Sequence, residues 1–426
     1  MKQEAQICCK PSQVFNLYLF PQKFLLVIQA LICICLLTGC GSSNSDGGGY
    51  SIGRQEIVVK DSNRKEIFGN TAGSDRELAV YVWYPATPDP SATKGPWLPD
   101  STAELYAAAT GFNVDSLRAV PTESYINAPV RKSLTPYPVL LLSHGNGASP
   151  LIYSTLAEEL ASRGYVVFGV SHTYNDPLSV FPDGRVFLAD SNADAESIAA
   201  SLTDSSNFKD RINVWNHSCD LSQYFVKDLS SVIDNLVRMN NNDPQFTGLL
   251  NINQIGAFGH SFGGAHSFGV SRNDPRVKAA ADLDGTIFNR NFKLGTDKPF
   301  MVISADLKNN TNEITAQLNS LGFSKNEIQE IVSQSLSQRE AFEASPNSYF
   351  ITMKKILHFN FTDFGVLEHL DFPQDQISKE SSPRRVLNNI IDYLDAFFIE
   401  AFQGKGSKQL DSTGPNEEVT IERNGE

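Results

Sequence analysis

The apolar positions of this chain fall into short runs separated by longer amphipathic stretches. Residues 55–61 (QEIVVKD) and 76–86 (RELAVYVWYPA) read as strands, the second alternating at Leu78, Val80, Val82 and Tyr84. Six further runs, at 137–145, 165–172, 254–261, 277–285, 298–306 and 348–355, are continuous and rich in β-branched or small residues. That composition suits strands covered on both faces. Helical periodicity lies between them at 150–163, 220–240, 262–272 and 382–402. The last opens on Ser-Pro and lines up Val386, Ile390, Ile391, Leu394 and Phe398 on one face. Strands alternating with helices predict an α/β fold over residues 54–402, with a mostly parallel central sheet and helices on both sides.

Three stretches interrupt the alternation. Residues 87–136 are rich in Pro, Ser, Thr and Ala and read as a long excursion with at most short helices. Residues 173–219 are polar, while 307–346 carry Ile314, Leu318, Leu321, Ile328 and Ile331 in a helical pattern. Such insertions serve either as a cap over a cleft or as surface additions. The Gly-rich, polar tail at 403–426 reads as disordered.

The amino-terminal forty residues follow a different rule. Lys2, Lys10 and Lys23 precede the apolar run FLLVIQALICICLL at 24–37, which is short for a bilayer span. Small residues follow it, the pattern of a secretory signal, with an uncleaved helical anchor as the alternative. The Leu-Thr-Gly-Cys ending resembles the lipobox of bacterial lipoproteins. That resemblance implies a signal over 1–39, a lipid on Cys40, a flexible linker over 40–53 and a place in the bacterial cell envelope. Cys219 is the one cysteine beyond Cys40, so the body has no internal disulfide. With 41% apolar residues the chain can bury a real core, and its net charge of −13 argues against a nucleic-acid partner.

The candidate chemistry centres on QIGAFGHSFGG at 254–264. Gly-His-Ser-Phe-Gly puts Ser261 between glycines at −2 and +2, after a strand and before a helix. A nucleophile on a tight strand-to-helix turn needs small neighbours there for steric reasons. Serine needs a base, and His358, in ILHFNFTDF after the last predicted strand, is placed to reach the elbow. His260 adjoins the serine, but its side chain is expected to point away from Oγ, as a structural residue. Asp284 (ADLDG) and Asp306 (ISADL) both end strands, and either could orient the base. The oxyanion donors are expected to be the backbone N–H of Phe262 and, from the loop SHGNGASP, that of Asn146.

In this order, His-Gly-Asn-Gly, Gly-His-Ser-Phe-Gly-Gly, Asp-Gly and His resemble the α/β-hydrolase superfamily. Within it LSHGNG, IGAFGHSFGGA, DLDG and HFNFTDF look like the platelet-activating-factor acetylhydrolase (group VII phospholipase A2) family. The resemblance implies an α/β-hydrolase fold and hydrolysis of short-chain or phospholipid-type esters without metal or cofactor. It also implies that the acid lies on the strand after the nucleophile's helix, which is Asp284. Polyester hydrolases and cutinases share the elbow but bring the acid from the later strand, which would be Asp306. A non-catalytic surface lipoprotein on the same fold is the remaining reading.

Overall fold

β1 (Ser51–Lys65) pairs antiparallel with β2 (Asp75–Ala86), Ser51 standing opposite Ala86. This comes from a computed structural model that describes residues 49–197, 207–306, 311–367, 370, 372–411 and 418–425. The signal and Cys40 lie outside them. Strand β1 overlaps the end of the linker expected over 40–53: Ser51 and Ile52 already sit in the ladder, and Ile52 is buried in the core.

Residues 87–136 are more ordered than their composition suggests. They hold α1 (Asp100–Thr110), α2 (Val114–Arg118) and β3 (Ser124–Ile126), which extends the sheet parallel to β1. Trp97, Leu98, Ala103, Tyr106 and Leu117 anchor the segment in the main core. The polar residues between them masked those anchors in the sequence.

β4 (Tyr137–Ser143), α3 (Ser154–Ser162) and β5 (Val166–Val170) follow, with a 3-10 turn at Pro150–Tyr153 leading into α3. The expected polar insertion contains a small hairpin, β6 (Leu178–Val180) with β7 (Val186–Leu188). It also contains the beginning of α4 (Phe208–Asn242), twelve residues ahead of the predicted start. Asn207 caps that start by accepting the Lys209 N–H, a local bond that a search for apolar periodicity misses. β8 (Leu250–His260), α5 (Phe262–Asn273), β9 (Val277–Leu283) and β10 (Phe300–Ala305) match the predicted order. Residues 311–343 form α6 (Thr311–Ser320), α7 (Lys325–Ser335) and α8 (Ser337–Glu343), and α7 opens with a Ser324–Glu327 capping box. β11 (Ser348–Met353) and α9 (Pro383–Gln403) complete the predicted body.

The tail corrects the expectation of disorder at its end. β12 (Val419–Asn424) pairs antiparallel with β11, burying Val419, while Glu422 binds Arg339. An open edge satisfies a strand's backbone whatever its composition, so the polar sequence was a poor guide.

The ten-stranded sheet runs β12-β11-β10-β9-β8-β4-β5-β2-β1-β3. Strands β5, β4, β8, β9, β10 and β11 are mutually parallel. The two-residue alternation sends Leu140 and Leu142 into the layer with α3 and α9. It sends Val139 and Leu141 into the layer with α4. Two covered faces explain why these strands read as unbroken apolar runs. In α9, all five residues of the predicted stripe are buried. In the described residues no helix is long and apolar enough to cross a membrane.

Candidate active site

Ser261 joins β8 to α5 with φ 56° and ψ −122°, a strained backbone for a residue with a side chain. A Cβ on Gly259 or Gly263 would overlap the backbone around Ser143, so the small residues let the turn pack against the end of β4. The Ser261 N–H donates to the Leu283 carbonyl (2.9 Å), tying the elbow to the end of β9.

One residue further along β9's exit stands Asp284, again with a left-handed φ of 55°. That torsion breaks the strand's alternation, so Asp284 and Asp282 face different partners. The Asp284 Oδ1 accepts the Ala305 N–H (2.8 Å) and the Ser304 hydroxyl (3.2 Å). Its Oδ2 faces the Nδ1 of His358 at 2.7 Å. A carboxylate on Nδ1 places the ring proton there and leaves the Nε2 lone pair for a base. His358 begins a 3-10 turn just after β11, and its side chain is 38% exposed rather than buried in the core. Asp306, the other candidate acid, is exposed, and its backbone N–H pairs with the Met353 carbonyl. No hydrogen bond joins the Ser261 hydroxyl to His358 among the described residues. The ring of His260, the preceding residue, lies 4.3 Å from that of His358. Catalytic hydrogen bonds commonly tighten only when substrate is present.

The Gly145–Asn146 turn after β4 abuts the same point: a Cβ on Gly145 would stand 3.3 Å from that of Ser261. The Asn146 side chain makes three hydrogen bonds, its Nδ2 donating to Asp194 (2.7 Å) and its Oδ1 accepting from Asn175 (3.0 Å) and the Ala195 N–H (3.1 Å). These bonds fix the turn to the insertion beyond β5. Among the described residues neither the Asn146 nor the Phe262 backbone N–H donates to a protein acceptor.

With this arrangement in view, comparison with known proteins is decisive. The family model for platelet-activating factor acetylhydrolase, isoform II, matches residues 47–370. The chain belongs to this family. A platelet-activating factor acetylhydrolase of Cavia porcellus is 26% identical over 282 residues, 65% of this chain and 60% of that protein. A probable 1-alkyl-2-acetylglycerophosphocholine esterase of Arthroderma benhamiae is 23% identical over 281 residues, 62% of this chain and 64% of that one. The match thus spans under two thirds of the length of either relative. Among solved structures, a ferulic acid esterase from Streptomyces cinnamoneus superposes with a TM-score of 0.63 at 27% identity. It covers 87% of this chain and 96% of its own. The architecture is the α/β-hydrolase fold.

This acetylhydrolase-family chain also holds a second Ser-His-Asp grouping that its sequence did not disclose. Ser143 Oγ lies between His172 Nε2 (2.8 Å) and His266 Nδ1 (2.9 Å), and His172 Nδ1 lies 2.9 Å from Asp228. Asp228 is paired with Arg76 and Arg64, both at 2.6 Å, and Arg76 also binds Glu66. Ser143, His172, Asp228 and His266 have no exposure to solvent, so this network braces the end of β4 and touches no substrate. His144 beside it is neutral: burial, and then the neighbouring His172, hold its pKa down to about 3. It uses one ring nitrogen on the Gly145 carbonyl (2.8 Å) and the other to accept the His172 N–H (3.0 Å). Among the described residues no group of three or more His, Cys, Asp or Glu is placed to share a metal ion.

Sequence reasoning also passed over Tyr153 and underrated His260. The bond between them spans 107 residues of chain and the one from His260 to His358 spans 98, and no local motif marks them.

Proposed function

We propose that this protein is a serine carboxylic-ester hydrolase that works through Ser261, His358 and Asp284, on short-chain or phospholipid-type esters. The observation that carries the reading is the 2.7 Å bond between Asp284 and His358 beside a serine on a strained elbow. His358 Nε2 takes the Ser261 proton as Oγ adds to the ester carbonyl. The N–H groups of Phe262 and Asn146 donate to the oxygen on which negative charge develops. The C–O bond to the alcohol then breaks, and the alcohol leaves with the proton from His358. Water, deprotonated by the same ring, releases the acid and restores the serine.

Membership of the family and the names of its relatives support an acetyl or other short acyl group on a glycerophospholipid. The ferulic acid esterase likeness supports a second reading, an aromatic acyl group on a similar frame. A panel of p-nitrophenyl esters of rising chain length, a 1-alkyl-2-acetylglycerophosphocholine and methyl ferulate separates the two. Turnover is expected to be fastest on the two-carbon acyl group and to include the phospholipid. Cleavage of methyl ferulate alone would overturn the phospholipid reading. We further propose that the lipobox-like ending delivers the enzyme to the bacterial envelope with its anchor on Cys40.

A further inference from the structure

We infer that Tyr153 and His260 are positioning residues that lock the oxyanion loop and the base's loop to each other. The inference rests on the hydrolase reading above. A one-way chain of hydrogen bonds connects the two loops. The Gly145 N–H donates to the Tyr153 hydroxyl oxygen (3.2 Å), Tyr153 lies 2.9 Å from His260 Nδ1, and His260 Nε2 lies 3.0 Å from the His358 carbonyl.

The direction of each bond follows from its ends. The His358 carbonyl can only accept, so the proton of a neutral His260 ring sits on Nε2. That leaves Nδ1 as an acceptor, which must take the Tyr153 O–H, and the Tyr153 oxygen is then free to accept from Gly145. Every bond in the chain then has one defined donor and one defined acceptor. Both side chains are out of contact with solvent, Tyr153 fully and His260 at 2% exposure, so no water competes for these bonds. Burial, and then the nearby His358, hold the His260 pKa well below its ordinary value, which keeps the ring neutral and the chain's direction constant.

Each end of the chain sits one step from the chemistry. Gly145 precedes Asn146, so the Tyr153 bond to its N–H holds one side of this residue, while His144 holds its carbonyl, which shares a peptide unit with the Asn146 N–H. At the other end His260 holds the backbone of His358 itself and packs its ring 4.3 Å from the base at an interplanar angle of 39°. The same ring also stacks on Phe361, with an interplanar angle of 17°. A third tie runs in parallel: Asp363, in the turn after His358, accepts the Thr155 N–H at 3.0 Å, two residues beyond Tyr153. The start of α3 therefore carries the references for the donor loop and the base together. Small displacements of catalytic groups cost rate far more than they cost binding.

The test is steady-state kinetics on p-nitrophenyl acetate with thermal unfolding measured alongside. Tyr153→Phe removes one oxygen from a buried ring and keeps its shape. We expect kcat to fall by roughly 10- to 100-fold, with KM within about twofold and the melting temperature close to wild type. His260→Phe keeps the stacking but loses both bonds, and should fall at least as far. His260→Gln, whose amide nitrogen can reach the His358 carbonyl, should recover part of that loss. A wild-type kcat in Tyr153→Phe, or a His260→Gln no better than His260→Phe, would overturn the positioning role. An inert wild-type protein would overturn the hydrolase reading and this inference with it, which distinguishes the two failures.

Discussion

Ser261→Ala is expected to leave a folded protein whose turnover of p-nitrophenyl acetate is down by about 10⁴-fold or more. Folding should survive because the elbow's strain lies in the backbone. The Ser261 N–H bond to Leu283 does not involve the side chain, and alanine occupies less space than serine. What is lost is the oxygen that becomes covalently acylated, and no neighbouring hydroxyl replaces it. Ser143 is the nearest lookalike in chemistry, yet it is buried and committed to two histidines. Circular dichroism and a melting curve verify the fold, and initial rates verify the loss. Turnover within tenfold of wild type would remove Ser261 from the mechanism.

The second large effect concerns the acid. Asp284→Asn should lower kcat by on the order of 10⁴-fold, since an amide in place of the carboxylate favours the wrong tautomer of His358. Its oxygen can keep the bonds from Ala305 and Ser304, so the site's shape is preserved while its proton inventory changes. Asp306→Asn, by contrast, alters an exposed side chain whose backbone is already paired with β11. It should leave kcat within about twofold, the usual reach of a substitution at an exposed side chain outside any buried network. Kinetics on both variants at one pH decide the matter. A larger loss at Asp306 than at Asp284 would transfer the acid to the later strand and undo the assignment.

The sequence carried the architecture because its strands are covered on both faces, and such strands announce themselves as uninterrupted apolar runs. Val139 to Leu142 and the α9 stripe from Val386 to Phe398 behave as their patterns require. The elbow was equally plain, since the demand for small residues around Ser261 is local and steric. The choice between Asp284 and Asp306 was less accessible. Both end parallel strands, and what separates them is a single left-handed torsion at Asp284 that turns its carboxylate toward His358. Residues 87–136 hid because sparse anchors such as Trp97 and Tyr106 hold a polar segment. β12 hid because an open sheet edge, rather than its own composition, gives it structure. The role of His260 was half visible. Its side chain makes no hydrogen bond with its neighbour Ser261, as expected, but its bonds to Tyr153 and to the His358 carbonyl arise only from folding.

The central claim is that a hydroxyl on the β8–α5 turn is activated by an imidazole that β11 delivers and β9 orients. Its most direct measurement is mass-spectrometric mapping after brief exposure to a serine-directed organophosphate, comparing wild type with His358→Ala. The account predicts one rapid adduct, on the peptide containing Ser261, and a rate of modification that collapses when His358 is removed. An unmodified Ser261, or modification equally fast without the imidazole, would contradict it.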